Sequence, residues 1–196
     1  MTELNKHHTV TENTPDNIML GAGIFVGGLT WASNKWTYEK TFGATNGGGK
    51  IEIKPETMDA EVDGVTVKTR GLTFKTGETA KVSTNLAEVI GDNLRIASMG
   101  KKVADTTVTG YEEITSKPNI EKGDYIENLG FIGFLANGDP AVIKFDYALC
   151  TSGLSFETKK KEQATIPVEF ECYADLKADD LTVLPWHIYT PKVASV

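Results

Sequence analysis

The segment Gly43-Ala44-Thr45-Asn46-Gly47-Gly48-Gly49-Lys50-Ile51-Glu52-Ile53 limits the fold more than any other stretch of the chain. Glycine adopts positive φ without steric cost, so a cluster of glycines marks a turn or a close backbone approach. Directly behind it, Ile51 and Ile53 alternate with Lys50, Glu52 and Lys54. A period of two puts apolar side chains on one face of a strand and charged ones on the other. A Gly-rich turn opening into a half-buried strand points to antiparallel β structure. Pro55 is expected to end that strand.

The same run fails as a phosphate-binding loop. That loop needs Gly, four residues, then Gly-Lys-Ser/Thr at the start of a helix. Here Ile51 follows Gly49-Lys50, Ala44 stands where the first glycine belongs, and a strand follows. Gly21-Ala22-Gly23 fails as a dinucleotide fingerprint, because its third glycine falls on Val26 and no helix follows.

Elsewhere strand signals dominate. Residues 18–26 are apolar and read as a short strand or an extended docking segment. Trp36 and Tyr38 mark one face of a second strand. Residues 61–68 and 72–75 read as short strands, with Asp63-Gly64 as a turn. Residues 80–84 are a further strand or a helix start. The stretches 103–109, 111–115, 126–135, 142–149, 154–158 and 165–173 carry β-branched or alternating patterns, and Asn137-Gly138-Asp139-Pro140 is a turn. One segment differs: Leu86, Val89, Ile90, Leu94 and Ala97 have helical spacing. It predicts a helix over 84–97, capped by Thr84, with Glu88 in its early turns and Gly100 at its exit. Many strands and one flanking helix define a mainly β fold, an antiparallel sandwich or barrel with long loops. Residues 1–17 are polar, aperiodic and interrupted by Pro15, and read as a flexible or partner-ordered arm.

The 196 residues are 40% hydrophobic and 24% charged, as in a soluble globular protein, and the net charge is −7. An acidic chain does not grip DNA by phosphate neutralisation, which needs a basic surface. No apolar stretch approaches the ~20 residues of a spanning helix, and residues 1–8 carry no hydrophobic signal region, so no membrane anchor is expected. Cys172 shares the apolar phase of its strand with Ile166, Val168 and Phe170. Cys150 shares the polar phase with Lys144 and Asp146. Opposite faces disfavour a bridge, although a sheet boundary would permit one; two free thiols are expected.

Motifs for chemistry are missing. His7, His8 and His187 form no zinc-ligand spacing with the two cysteines, and no metal or cofactor is expected. There is no Gly-x-Ser-x-Gly elbow. Glu112-Glu113 and Asp179-Asp180 are adjacent, so on a strand they point to opposite faces. The chain is therefore not expected to be an enzyme. Glu169 and Glu171 share one face of a strand whose other face is apolar. With Lys144 and Asp146 they form a charged sheet face, either simply solvated or lining a water-filled channel.

The order of four short motifs resembles the major tail proteins of long-tailed phages, the subunits of the tail tube. These are Asn17-Ile18-Met19-Leu20-Gly21-Ala22-Gly23, the Gly43–Gly49 turn, Glu61-Val62-Asp63-Gly64 leading to Val65-Thr66-Val67-Lys68, and Thr84-Asn85-Leu86-Ala87-Glu88. The similarity spans most of residues 17–173 and lies in the order of the motifs, none of which is specific alone.

The resemblance implies a virion structural protein with residues 18–196 as a single tail-tube β domain. After residue 173 too little chain follows for a separate immunoglobulin-like domain. Six subunits would form a ring, and rings would stack into a tube through which DNA passes. The implied partners are other copies of the chain, the tape-measure, tail-terminator and baseplate or tail-tip proteins, and DNA in non-specific transit. The implied location is the virion tail, reached from the host cytoplasm. Candidate lumen-facing residues are Lys50, Glu52, Lys54, Glu169 and Glu171, with the acidic character resting on the last two. Candidate contacts between rings are Thr9, Val10, Thr14 and Pro15 of the arm. The alternative is a β-sandwich carbohydrate-binding or adhesin module, which would show an aromatic platform.

Overall fold

The computed structural model describes residues 9–104 and 106–192. In chain order its elements are β1 (Met19–Gly27), β2 (Thr30–Ala32), β3 (Lys35–Thr37), β4 (Lys40–Thr41), β5 (Thr45–Asp59), β6 (Thr73–Leu86), α1 (Gly91–Ser98), β7 (Lys101–Lys102), β8 (Ile114–Thr115), β9 (Ile126–Leu135), β10 (Pro140–Cys150), β11 (Ile166–Cys172) and β12 (Trp186–Tyr189). One large sheet has the order β4-β1-β9-β10-β11-β6-β5, with β12 added to β10, and every pairing is antiparallel. The fold is mainly β with a single α-helix among the described residues, as the strand patterns predict.

The alternation of β11 shows why. Ile166, Val168, Phe170 and Cys172 are buried, while Glu169 and Glu171 between them are only partly covered. The same rule buries Ala80, Val82, Thr84 and Leu86 of β6. These side chains meet Phe25, Phe42, Leu129 and Phe145 in one core, where Phe42 packs 5.4 Å from Phe170, centroid to centroid. Each fully buried side chain of this size stabilises the fold by about 1.5–3 kcal/mol. A second small core of Val26, Leu29, Ile132 and Val142 lies on the opposite face of β1, β9 and β10, against Trp36.

The sheet curls until its ends approach. Phe42, just past β4, donates its N–H to the Phe25 carbonyl (3.2 Å), and Ala87 donates to Ala44 (2.8 Å). The Phe25 ring reaches β5, where a Cβ on Gly49 would lie 2.5 Å from its Cζ. Gly47 and Gly48 have φ of 81° and 75°. They form a bulge between Asn46 and Gly49 inside β5, where the sequence predicts a turn ahead of the strand.

Another irregularity moves Cys150. In β10, Phe145 and Ala148 are both buried, with half-buried Asp146 and Tyr147 between them. The paired strand β9 has Glu127 and Asn128 between buried Ile126 and Leu129, and Asn128 has φ of 50°. The inward phase thus switches parity on both strands at one level. There β10 also changes partner, from β12 to β11. Cys150 therefore enters the same core as Cys172, contrary to the polar phase expected for it, and both thiols are free.

The helix is shorter than 84–97. Residues 84–86 stay in β6, because Thr84 and Leu86 are paired on both sides, by β5 and by β11. Two ladders outweigh the helical spacing. Thr84 is not a cap; its hydroxyl donates to the Gly48 carbonyl at 2.8 Å. Glu88 precedes the helix and accepts the Ala44 N–H at 2.8 Å. Ile90 is the N-cap, without a side-chain cap. Met99, at φ of 50°, ends the helix in place of Gly100.

Other strand expectations also fail, in whole or in part. β5 runs through Pro55 to Asp59, because it is an edge strand on which a missing N–H is tolerated. Residues 61–68 form part of the β5–β6 connection, where Asp63-Gly64 does turn, with Val65 N–H donating to Val62 at 3.0 Å. Among the described residues, 103–109 forms no strand, 111–115 contributes only Ile114–Thr115 of β8, paired with β7, and 154–158 is irregular. Without partners, β propensity forms no strand. Tyr38 follows β3 and is exposed.

Candidate functional site

The outer face of β5, β6 and β11 gathers Lys50, Glu52, Lys54, Glu169 and Glu171, the five candidate lumen-facing residues. Glu52, Lys81 and Glu171 form one row across the three strands, and Lys50, Ser83 and Glu169 the next. Lys54 extends the face opposite Thr79. Directly paired residues share a face, so the rows follow from register alone. Lys81, which the sequence reading did not single out, is the centre. Its Nζ lies 2.9 Å from Glu169 Oε1 and 3.7 Å from Glu171 Oε2. Hydrogen bonding to Glu169, with the charges of Glu171 and Glu169, raises the Lys81 pKa. Lys50 pairs with Glu52, which raises the lysine pKa and lowers that of the carboxyl. Lys50, Lys54 and Lys81 thus balance Glu52, Glu169 and Glu171. The face is mixed in charge, because Lys81 offsets the acidity of Glu169 and Glu171.

Lys144 and Asp146 stand apart from this network. They pair with each other at 2.8 Å, and His187 Nε2 lies 3.5 Å from Asp146. Lys144 also donates to Asn128 Oδ1 at 3.0 Å, across the level where β9 and β10 switch phase.

Two apolar patches lie at different strands of the sheet's borders. On the β5–β6 hairpin, Met58 is paired with Phe74 and both are exposed, as are Val62, Val65 and Val67 in the connection. On β1 and β9, Leu20 is paired with Phe134, and Ile18, Met19 and Ile24 are exposed nearby. β5 pairs only with β6, and beyond the stretch where Phe25 of β1 reaches Gly49 its outer edge is open. An open edge is a template for pairing with another chain.

The arm is described from Thr9. Thr9, Val10 and Pro15 are exposed and Thr14 is half-buried. The Thr14 hydroxyl accepts the Thr11 N–H at 2.8 Å. His7 and His8 lie outside the described residues. Burial raises the pKa of both thiols, that of Cys172 to about 12, with Asp146 and Glu78 adding to the shift. No group of three or more His, Cys, Asp or Glu among the described residues is placed to hold a metal ion. No helix among them is long and apolar enough to cross a membrane.

A third cluster is aromatic. Trp31 and Trp36 face each other across β2 and β3 with centroids 5.1 Å apart, and Tyr189 of β12 lies 4.9 Å from Trp36. His187 stacks on Tyr189 at 6.1 Å. Trp31 and Tyr189 are exposed. The sequence showed these aromatics but not that β12 returns beside the β2–β3 hairpin.

No protein-family model matches the chain, and no curated protein matches it. The fold defines a mainly β, antiparallel protein, and its outer surface carries a balanced charged face, an open edge strand and exposed apolar patches.

Proposed function

We propose that the chain is a self-assembling structural subunit, the repeating unit of a phage-type tail tube, with no catalytic role. The unpaired outer edge of β5 carries the proposal. Head-to-tail association covers it against a neighbouring copy and closes a ring, while non-closing contacts between rings build a tube. The apolar pairs Met58–Phe74 and Leu20–Phe134 supply surface to bury in these contacts. The outer face of β5, β6 and β11 then lines the channel. Its cations are matched by carboxylates, so passing DNA finds no basic groove to hold it. The tape-measure, tail-terminator and baseplate or tail-tip proteins are the proposed partners, and the virion tail is the proposed location.

Negative-stain electron microscopy of the concentrated protein, with light scattering, tests the reading. Rings or tubes with a central channel are expected. A monomer at every concentration, including in the presence of preformed tube fragments, would overturn it.

The aromatic cluster of exposed Trp31 and Tyr189 with half-buried Trp36 favours a second reading, a carbohydrate-binding or adhesin module. On that reading the protein stays monomeric, and a glycan array gives binding that Trp31→Ala abolishes.

A further inference from the structure

A cavity of about 320 Å3 opens on the outer side of β9, β10 and the segment after β11. Three tyrosines wall it. Tyr125 packs edge-on against Tyr173, with centroids 5.6 Å apart and an interplanar angle of 78°. Tyr173 donates its N–H to the Tyr147 carbonyl at 2.9 Å, which sets the two residues side by side. Glu127 is opposite Tyr147 in the β9–β10 register. The turn after Tyr173 brings in Asp175, whose carboxylate accepts the Lys177 N–H at 2.9 Å. Lys122 and Lys177 complete the lining.

Asp175 already has partners: the Lys177 N–H, the Tyr147 hydroxyl and the charges of Lys177 and Lys122 lower its pKa. Among the described residues, no ion pair involves Glu127, Lys122 or Lys177. Aromatic faces attract alkylated ammonium groups, more strongly when the site is partly dry. Glu127, opposite Tyr147 and in no ion pair, favours the same end of a ligand. The two lysines favour an anion. A simple cation would meet the lysines, and a simple anion would meet Glu127; a molecule carrying both charges satisfies both. The volume suits a small ligand. Asp175 beside Tyr147 raises that phenol's pKa, so the ring stays neutral.

We propose that this cavity binds a small zwitterion, its alkylated ammonium end against the tyrosines and Glu127 and its phosphate end against Lys122 and Lys177. The site is independent of the assembly role.

Phosphocholine, choline and inorganic phosphate are titrated into the full chain, with calorimetry and tyrosine-ring NMR shifts as readouts. Phosphocholine is expected to bind and to move the Tyr125, Tyr147 and Tyr173 resonances. Choline and phosphate alone are expected to bind about tenfold more weakly, since each leaves one charge set unpaired. Glu127→Gln and Lys177→Ala change exposed side chains, and each is expected to weaken phosphocholine about tenfold with unchanged amide dispersion. Co-sedimentation with phosphatidylcholine vesicles, lost in Glu127→Gln, assigns the source to a lipid headgroup; binding of free phosphocholine without co-sedimentation assigns it to a soluble molecule. No shift at millimolar phosphocholine, choline binding equally well, or both variants binding like the parent would overturn the proposal.

Discussion

Lys81 holds Glu169 at 2.9 Å from the neighbouring strand, and so turns an acidic stretch of sequence into a neutral patch of surface. The pair is partly exposed at the surface, and surface pairs of this kind add little to stability. Its consequence is electrostatic. Glu169→Lys with Glu171→Lys would place Lys50, Lys54, Lys81 and two new lysines on one face. In the proposed tube this creates a basic lining that binds phosphate. Particles carrying both changes are expected to assemble intact tubes and to deliver DNA poorly. Delivery at the parental rate would show that this face does not line the channel.

Phe25 and Gly49 make a second prediction, on stability. The ring occupies the space that a Cβ on residue 49 needs. Overpacking of this kind costs about 1–3 kcal/mol. Gly49→Ala should lower the unfolding free energy, measured by urea denaturation, by that amount. Phe25→Leu shortens the side chain, so the double variant should lose less than the sum of the two single losses. Additive losses would mean that the two residues do not compete for the space.

Much of this was legible in the sequence, for identifiable reasons. The alternation in 165–173 and around Ile51 and Ile53 specified both the strands and their buried faces. That alternation alone set Glu169, Glu171, Lys50, Glu52 and Lys54 outward, and the β6 register joined them. Lys81 was missed because residues 80–84 read equally as strand or helix start, although Ala80 and Val82 already alternate around it. The parity switch at Asp146–Tyr147 had no mark of its own. Its one trace is Asn128, a residue type that tolerates left-handed backbone, on the paired strand. The helix was misplaced because spacing alone does not reveal that Thr84 and Leu86 have strand partners on both sides. The tyrosine cavity was invisible for a similar reason: Tyr125, Tyr147 and Tyr173 meet only through pairing.

Asp124 should make the protein acid-sensitive. Its carboxylate is buried, 2.6 Å from Lys117 Nζ, and accepts the Glu121 N–H at 2.8 Å. Burial opposes its ionisation, but the Glu121 N–H and the neighbouring Lys117 and Arg95 outweigh that, holding its pKa below the ordinary 3.8. A carboxyl depressed in the folded state contributes stability that is fully present above its unfolded pKa, about 3.9. That contribution is lost as the pH falls through the lower folded value. Asp124→Asn should therefore cost about 1–3 kcal/mol at neutral pH, and the gap from the parent should shrink near pH 3. Urea denaturation at both pH values checks this. A gap of equal size at both would exclude the ionised carboxylate as the cause.

The arm separates folding from assembly. Among the described residues, the backbone hydrogen bonds of 9–17 stay within the segment, from Thr14 to Thr11 and from Asn17 to Asn13 and Thr14. The first bond to the sheet is at Ile18, whose carbonyl accepts the Ala136 N–H at 2.8 Å. Removal of residues 1–17 therefore leaves every ladder of the large sheet with its partners, and the urea midpoint should stay within about 0.5 kcal/mol of the parent in free energy. Residues 1–8 lie outside the described residues, but they are deleted with the rest. If Thr9, Val10, Thr14 and Pro15 dock on the adjacent ring, the truncated chain should still close rings and should fail to stack them. Electron microscopy separates the two steps directly. Tubes of parental length from the truncated chain would remove the arm from the stacking contact and leave that role to the β5–β6 hairpin, where Met58→Lys with Phe74→Glu is the variant expected to stop growth.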